Sequence, residues 1–359
     1  MRFEIRSFDP SSHREGLIAL WKDNLYTAVP GRPQVMDRRF EWLYQQNPEG
    51  PAKTWVAQPG GNHVLAGCAS LYPRTVSYAG REFLVGTGCD FAVGKEHRVF
   101  GPALSLQRSL VGGSLAEGFQ FLMVWPDKAS IGLFRRVGYT TLGETERWVK
   151  VLRPERYAED INNSKLVVMI SRMASKGLEV VDQAFRAPYL RELWGTRTEI
   201  LDQTDARFDA LWSEARQSYL LCEAKTASYL SWRYCQKPLE PNRFFCMFDK
   251  HDSLLGYVVF TVEDNVACVE DLFARDSGRM TEALLVEFIQ AMHNEGMTAI
   301  SVVFLWNEQL AAQLKRLFFL RREQLNPLLV YFDPEAPAQL REGVLSCRDW
   351  LLFDGGMDI

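Results

Sequence analysis

Basic residues are in deficit, histidines are few and scattered, and no cysteine pair has metal-binding spacing in this 359-residue chain. The formal net charge of -4 argues against a protein whose main partner is nucleic acid, which is bound through clustered Lys and Arg. One basic run, Lys315 to Arg322, is interleaved with Leu317, Phe318, Phe319 and Leu320 and reads as a helix end passing into a buried strand. His13, His63, His97, His251 and His293 lie far apart and no Cys-x-x-Cys occurs, so no local zinc motif exists and no metal is expected. The seven cysteines are odd in number and widely spaced. Their apolar settings, such as Phe244 to Phe248 around Cys246, fit reduced core thiols rather than a disulfide framework. No apolar run approaches the roughly 18 residues of a membrane span. Met1 to Arg6 alternates polar and apolar residues like a first strand and lacks a signal-peptide core. A soluble, cytoplasmic protein without a membrane span is the expectation.

What is present is a folding composition, 47% hydrophobic and 24% charged, on a chain long enough for two domains. The two halves repeat each other. Ala19-Leu20-Trp21 matches Ala210-Leu211-Trp212. Trp42-x-Tyr44-x-Gln46-x-Pro48-x-x-Pro51 matches Trp232-x-Tyr234-x-Gln236-x-Pro238-x-x-Pro241, and Trp125 to Tyr139 aligns without gaps with Leu305 to Phe319. Three landmarks in one order at so long a period mean two copies of one domain rather than a solenoid.

Each copy reads as strand, helix, a second helix carrying Trp-x-Tyr, two antiparallel strands, then strand, helix, strand, helix, strand. In the first copy the paired strands are 54–57 and 65–71, joined by a turn at Pro59-Gly60-Gly61-Asn62, with 76–83 as a further hairpin arm. Strands at 87–93, 119–125 and 147–152 follow, with helices starting at Pro102 and Asp127. The second copy has strands at 257–262, 267–274, 299–305 and 328–332, and helices over 281–295 and from Asn307. A helical connector at 163–185 separates them, and a mixed α/β sheet is expected in each half. The divisions are 1–153, 154–196 and 197–359.

Arg98-Val99-Phe100-Gly101-Pro102-Ala103 follows the strand-like Gly88 to Val93 and opens a helix. Such a turn presents unpaired helical N–H groups and partial positive charge to an anion, and a diphosphate fits there. Gly101 allows close backbone approach, Arg98 adds a permanent cation, and Pro102 suits the first helical position but contributes no N–H. A purely structural αβ connection has the same outline.

With these elements in this order, the chain resembles the GCN5-related N-acetyltransferase (GNAT) superfamily, in tandem over nearly its whole length. Arg98-x-x-Gly101-x-Ala103 is similar to that family's acyl-CoA loop, and Phe121 to Trp125, Asp127 and the closing Gly138-Tyr139 resemble its second motif. The duplication, the Trp-x-Tyr segments and the closing Trp350 to Gly356 are more loosely similar to double-GNAT proteins of bacterial surface polysaccharide pathways. The resemblance implies transfer of an acetyl group from acetyl-CoA, the co-substrate, to an amine or hydroxyl of a small molecule or glycan, with no metal.

It further implies that Phe91, Ala92 and Val93 hold the thioester through backbone groups, that Arg98 and the amides of Val99, Phe100, Gly101 and Ala103 hold the diphosphate, and that Asp127 and Phe134 line the donor site. Phe134 stands where the family has a tyrosine acid, and a phenyl ring cannot protonate a thiolate. Asp90 is the candidate general base, with Glu96 and His97 as alternatives that also read as loop surface. The second copy lacks the loop: Gly278 and Thr281 stand opposite Arg98 and Gly101. Its Glu270-Asp271 reads as an acceptor contact or a charged strand end, and the Trp42 and Trp232 segments as a sugar-stacking cleft or plain core. Two other functions fit the same pattern, a non-catalytic double-GNAT binding module and an aminoacyl transferase of the peptidoglycan-bridge type.

Overall fold

The computed structural model describes residues 3–25, 33–60, 64–98, 101–156, 165–238, 242–346, 348 and 350–353. Val99, Phe100, Cys347, Gly61 and Asn62 of the expected turn, and Gly355-Gly356 lie outside them. The first half runs β1 (Phe3–Ser7), α1 (Pro10–Asn24), α2 (Pro33–Phe40), β2 (Lys53–Pro59), β3 (Gly67–Tyr78), β4 (Arg81–Val93), α3 (Pro102–Ser114), β5 (Phe121–Val124), α4 (Ile131–Val137) and β6 (Thr140–Val151). The connector helix α5 (Lys165–Ala184) follows. The second half runs β7 (Arg197–Leu201), α6 (Ala206–Ala215), β8 (Leu221–Glu223), α7 (Ala227–Leu230), β9 (Arg243–Phe248), β10 (Leu254–Glu263), β11 (Val266–Ala274), α8 (Arg279–Asn294), β12 (Ala299–Leu305), α9 (Glu308–Arg316), β13 (Leu320–Tyr331), α10 (Ala338–Ser346) and β14 (Trp350–Leu351).

Local chemistry sets several boundaries. Asp9 caps α1 by accepting from the Ser11 N–H at 3.0 Å, with Pro10 in the first helical position. Ala79 and Gly80 both have positive φ (49° and 76°) and make the tight turn that joins β3 to β4. The hairpin arm expected at 76–83 is thus the end of one long strand and the start of the next. Nothing but Gly80 marks that turn in sequence, because alanine seldom takes a left-handed conformation. The helix expected from Asp127 begins later, at Ile131, because Asp127 spends its carboxylate on the Ser130 N–H at 2.7 Å in a preceding turn.

The described strands form one 14-stranded sheet whose main order is β1-β2-β3-β4-β5-β13-β6-β12-β11-β10-β9-β7. The sheet is continuous from one half to the other because β6 of the first half and β13 of the second both cross over. β13 pairs antiparallel with β5, β6 pairs antiparallel with β12, and β6 and β13 pair with each other in the middle. Hydrophobic patterning identifies such strands but carries no information about which neighbour they take.

The Trp-x-Tyr segments sit in single wide helical turns, Glu41–Gln45 and Ser231–Cys235. Trp42 and Trp232 are buried and stack at 5.1 Å with 23° between their planes. The Trp42 indole N–H donates to the Trp232 carbonyl at 2.6 Å, and the Trp232 indole N–H donates to the Trp42 carbonyl at 2.8 Å. This reciprocity, as across a two-fold axis, overturns the sugar-stacking reading: the two indole faces are spent on each other.

Candidate active site

β4 pairs with β5 only as far as Thr87 opposite Met123, and from Gly88 onward its β5-side edge has no partner strand among the described residues. On its other edge the register slips. Ser70 lies opposite Cys89 and Cys68 opposite Ala92, so Asp90 and Phe91 together face Ala69. Such a bulge bends the strand and re-aims its groups. Asp90 pays for the bend with a left-handed φ of 47°, which costs a non-glycine residue about 1 kcal/mol or more.

Side chains hold it there. The Arg39 guanidinium donates to Asp90 Oδ1 at 2.8 Å, the Tyr44 hydroxyl to Oδ2 at 3.0 Å, and the Cys68 thiol to the Asp90 carbonyl at 3.0 Å. Burial, then the Asp90 carboxylate, push the Tyr44 phenol well above its ordinary pKa, so it stays a donor. Tyr44 also shares a hydrogen bond with Ser70 at 2.8 Å, which in turn meets Thr54 at 2.9 Å. Arg39 and Tyr44 were not singled out for this role by sequence, since the nearer of them is 46 positions from Asp90.

The parting of β4 from β5 opens a cavity of about 540 Å³ between α3 and α4. Phe91, Ala92, Val93, Arg98, Ala103, Asp127, Phe134 and Asp90 all line it. Among the described lining residues Arg98 is the one cation. Its Nε donates to the Val93 carbonyl at 3.2 Å and its terminal nitrogen to Asn24 Oδ1 at 3.3 Å, which lays an exposed guanidinium from the end of β4 to the end of α1. Gly101 takes φ 62° just before Pro102 opens α3, and a Cβ there would meet nothing within 4 Å. The left-handed backbone, not crowding, is what calls for glycine.

Phe134 forms an apolar wall, edge-on to Phe91 at 5.8 Å and to Tyr139 at 5.2 Å. Tyr139, which sequence suggested only as a motif ending, also lines the cavity; burial and then Tyr331 push its phenol up. Glu96 is not among the lining residues. It is exposed on the short turn Lys95–His97, with one carboxylate oxygen 3.5 Å from His97 Nε2.

The corresponding cleft of the second half is closed by its own chain. β11 pairs with β12 only through Val269 opposite Val302, yet the gap beyond is filled. The Leu305 N–H donates to the Leu352 carbonyl at 2.9 Å, Phe353 bridges to Phe304, and Asn307 Nδ2 donates to the Trp350 carbonyl at 3.1 Å. The Tyr219 hydroxyl donates to the Ala274 carbonyl at 2.8 Å and accepts from the Ala274 N–H at 3.2 Å. Gln309 and Gln313 donate to the Ser277 carbonyl at 2.7 and 2.8 Å, across the start of α8. A recess of about 150 Å³ is left. Arg275, the cation of its Arg275-x-x-Gly278 segment, pairs with Glu214 at 3.1 Å.

Asp271 is buried and accepts from Lys225 Nζ at 2.7 and 2.8 Å, so it is neither an acceptor contact nor a solvated strand end. Burial raises its pKa and Lys225 opposes that rise. Tyr219→Phe leaves both polar groups of Ala274 without their bond and is expected to cost about 1 to 2 kcal/mol. Urea unfolding measures this, and an unchanged midpoint would show that the hydroxyl is no seal.

No family model and no curated protein matches the chain. Solved structures do. A GCN5-related N-acetyltransferase from Anabaena variabilis is 14% identical with a TM-score of 0.62, covering 92% of this chain and 73% of that one. A second, from Kribbella flavida, is 11% identical with a TM-score of 0.59 and coverage of 92% and 72%. Eis1 from Mycobacterium abscessus is 14% identical with a TM-score of 0.58 and coverage of 92% and 74%. The chain has the fold of the GCN5-related N-acetyltransferases.

Proposed function

We propose that this protein is an acyl-CoA-dependent acyltransferase, taking acetyl-CoA as donor and an amine or hydroxyl as acceptor. The division into 1–153 as the donor-binding half, 154–196 as connector and 197–359 as a half that builds the acceptor side is part of the same reading. The observation that carries it is the open cleft between β4 and β5, whose one cation among the described lining residues is Arg98 and which lies at the start of a helix entered through a left-handed glycine. Its twin in the same chain is filled. The diphosphate would sit against Arg98 and the first amides of α3, with the thioester beside the unpaired edge of β4, where a backbone N–H can polarise its carbonyl.

The acceptor nitrogen or oxygen attacks that carbonyl, the C–S bond breaks and the thiolate leaves. Asp90 is the candidate base. Arg39 and Tyr44 occupy one hydrogen bond on each oxygen, and a carboxylate can accept more than two. Phe134 offers no proton, but a thiolate is a far better leaving group than an alkoxide and departs without strong acid assistance. With Trp42 and Trp232 buried on each other, no stacking platform for a sugar comes from those segments, so a glycan acceptor rests on the looser sequence resemblance alone.

Calorimetry with acetyl-CoA and CoA tests the donor, and no binding to the full chain would end this reading. Asp90→Asn is expected to lower turnover by about a hundredfold. Because it also leaves Arg39 facing a neutral group, it should destabilise the fold by about 3 kcal/mol. A folded Asp90→Asn protein with undiminished turnover would remove the base and leave the donor site standing. The phenyl ring of Phe134 favours a second reading, a binding module that holds CoA without transfer. A panel of amines and amino sugars with acetyl-CoA separates the two.

A further inference from the structure

α3 presents Ala103, Gln107 and Leu110 to the cleft, spaced four and three residues apart on one helical face. Two of these fit an apolar wall. The third does not: Gln107 is 2% exposed, and its Oε1 has no hydrogen-bond partner among the described residues. Its neighbours Leu106, Leu110 and Val111 are buried and apolar. A leucine would fill the same place without stranding an amide, and a buried polar group left unpaired is destabilising. Polar matter entering the cleft would complete it.

The helix fixes where that matter would lie. Gln107 stands one turn and a half beyond Pro102, roughly 7 to 8 Å along the axis at 1.5 Å per residue, inward of the diphosphate position. The arm that links a CoA diphosphate to its thiol carries two amides and a hydroxyl, each needing a partner on leaving water. The side chains of Leu110, Val124, Leu133 and Phe134, which line the same cleft, supply none. Resting on the acyl-CoA reading, we propose that the Gln107 carboxamide hydrogen-bonds the pantoyl amide of the donor's pantetheine arm and so selects donors that carry this arm over nucleotides that lack it.

The test is calorimetry of the full chain with CoA and with ADP, beside thermal melts without ligand. Gln107→Leu is expected to weaken CoA by about tenfold, to leave ADP unchanged, and to raise the Tm of the unliganded protein by removing a stranded amide. A side chain serving only packing or structure would not move the two measurements in opposite directions. Unchanged CoA affinity, equal weakening of CoA and ADP, or a lowered Tm would each overturn the proposal. Should Gln107→Leu fail to fold, Gln107→Asn keeps the amide and withdraws its reach, and must also weaken CoA but not ADP. Wild-type protein that binds no CoA at all would end the acyl-CoA reading and this proposal with it, whereas wild type that binds CoA no better than Gln107→Leu ends this proposal alone.

Discussion

Trp232→Ala is expected to lower the unfolding free energy by about 3 to 5 kcal/mol, the range for truncating a large aromatic in a core that collapses only in part. The indole is 1% exposed, stacks on Trp42, and lies 5.5 Å from the Tyr229 ring and 6.4 Å from the Tyr72 ring. Its loss also leaves the Trp42 carbonyl without the donor 2.8 Å away. Trp232→Phe keeps a ring and loses the N–H, and should cost about 1 to 2 kcal/mol beyond the volume change. Since each indole bonds to the other's backbone, the double variant with Trp42→Ala should cost clearly less than the two single changes added together. Strict additivity in denaturant unfolding would mean that the pair does not act as a unit.

Arg98→Glu is expected to weaken CoA binding by about a hundredfold or more. The change removes the one cation among the described residues lining the cleft and puts a carboxylate where the diphosphate must come. Arg98→Lys keeps the charge without the planar fork and should fall between the two, and the wild-type affinity should drop as salt is raised. The guanidinium's own contacts are to Val93 and Asn24 at the surface, so the fold should be spared. Unaltered CoA affinity in Arg98→Glu would place the diphosphate elsewhere and dismantle the loop assignment.

How far the sequence carries depends on whether a feature is written in neighbouring residues. The strand ending at Val93 and the helix opening at Pro102 are local, and each lies where patterning put it. The matching Trp-x-Tyr segments were legible as repeats but not as a contact. Equivalent residues meet only on the axis that relates two copies, as at an isologous dimer interface, and spacing along a chain does not locate that axis. Asp90 was legible as a strand carboxylate, whereas its bond to Arg39 joins residues 51 positions apart. Gln107 was passed over because a glutamine within a helix reads as solvent-facing, and only the packed helix turns it inward. Closure of the second cleft was foreshadowed by the missing cation and glycine, but the segment that fills it, Trp350 to Phe353, comes from the far end of the chain.

The exchange of β6 and β13 between the halves sets a timetable for biosynthesis. Leu329 pairs with Val124 across roughly 200 residues of chain, and such distant partners are the slowest to find each other. While the ribosome is still making the second half, β5 presents a bare hydrogen-bonding edge beside the nascent cleft, a template for aggregation with other chains. A fragment ending near residue 153 would keep that edge for good. Such a fragment is expected to be recovered in inclusion bodies or bound to chaperones, and to regain solubility when the remainder of the polypeptide is co-expressed to supply the missing strand.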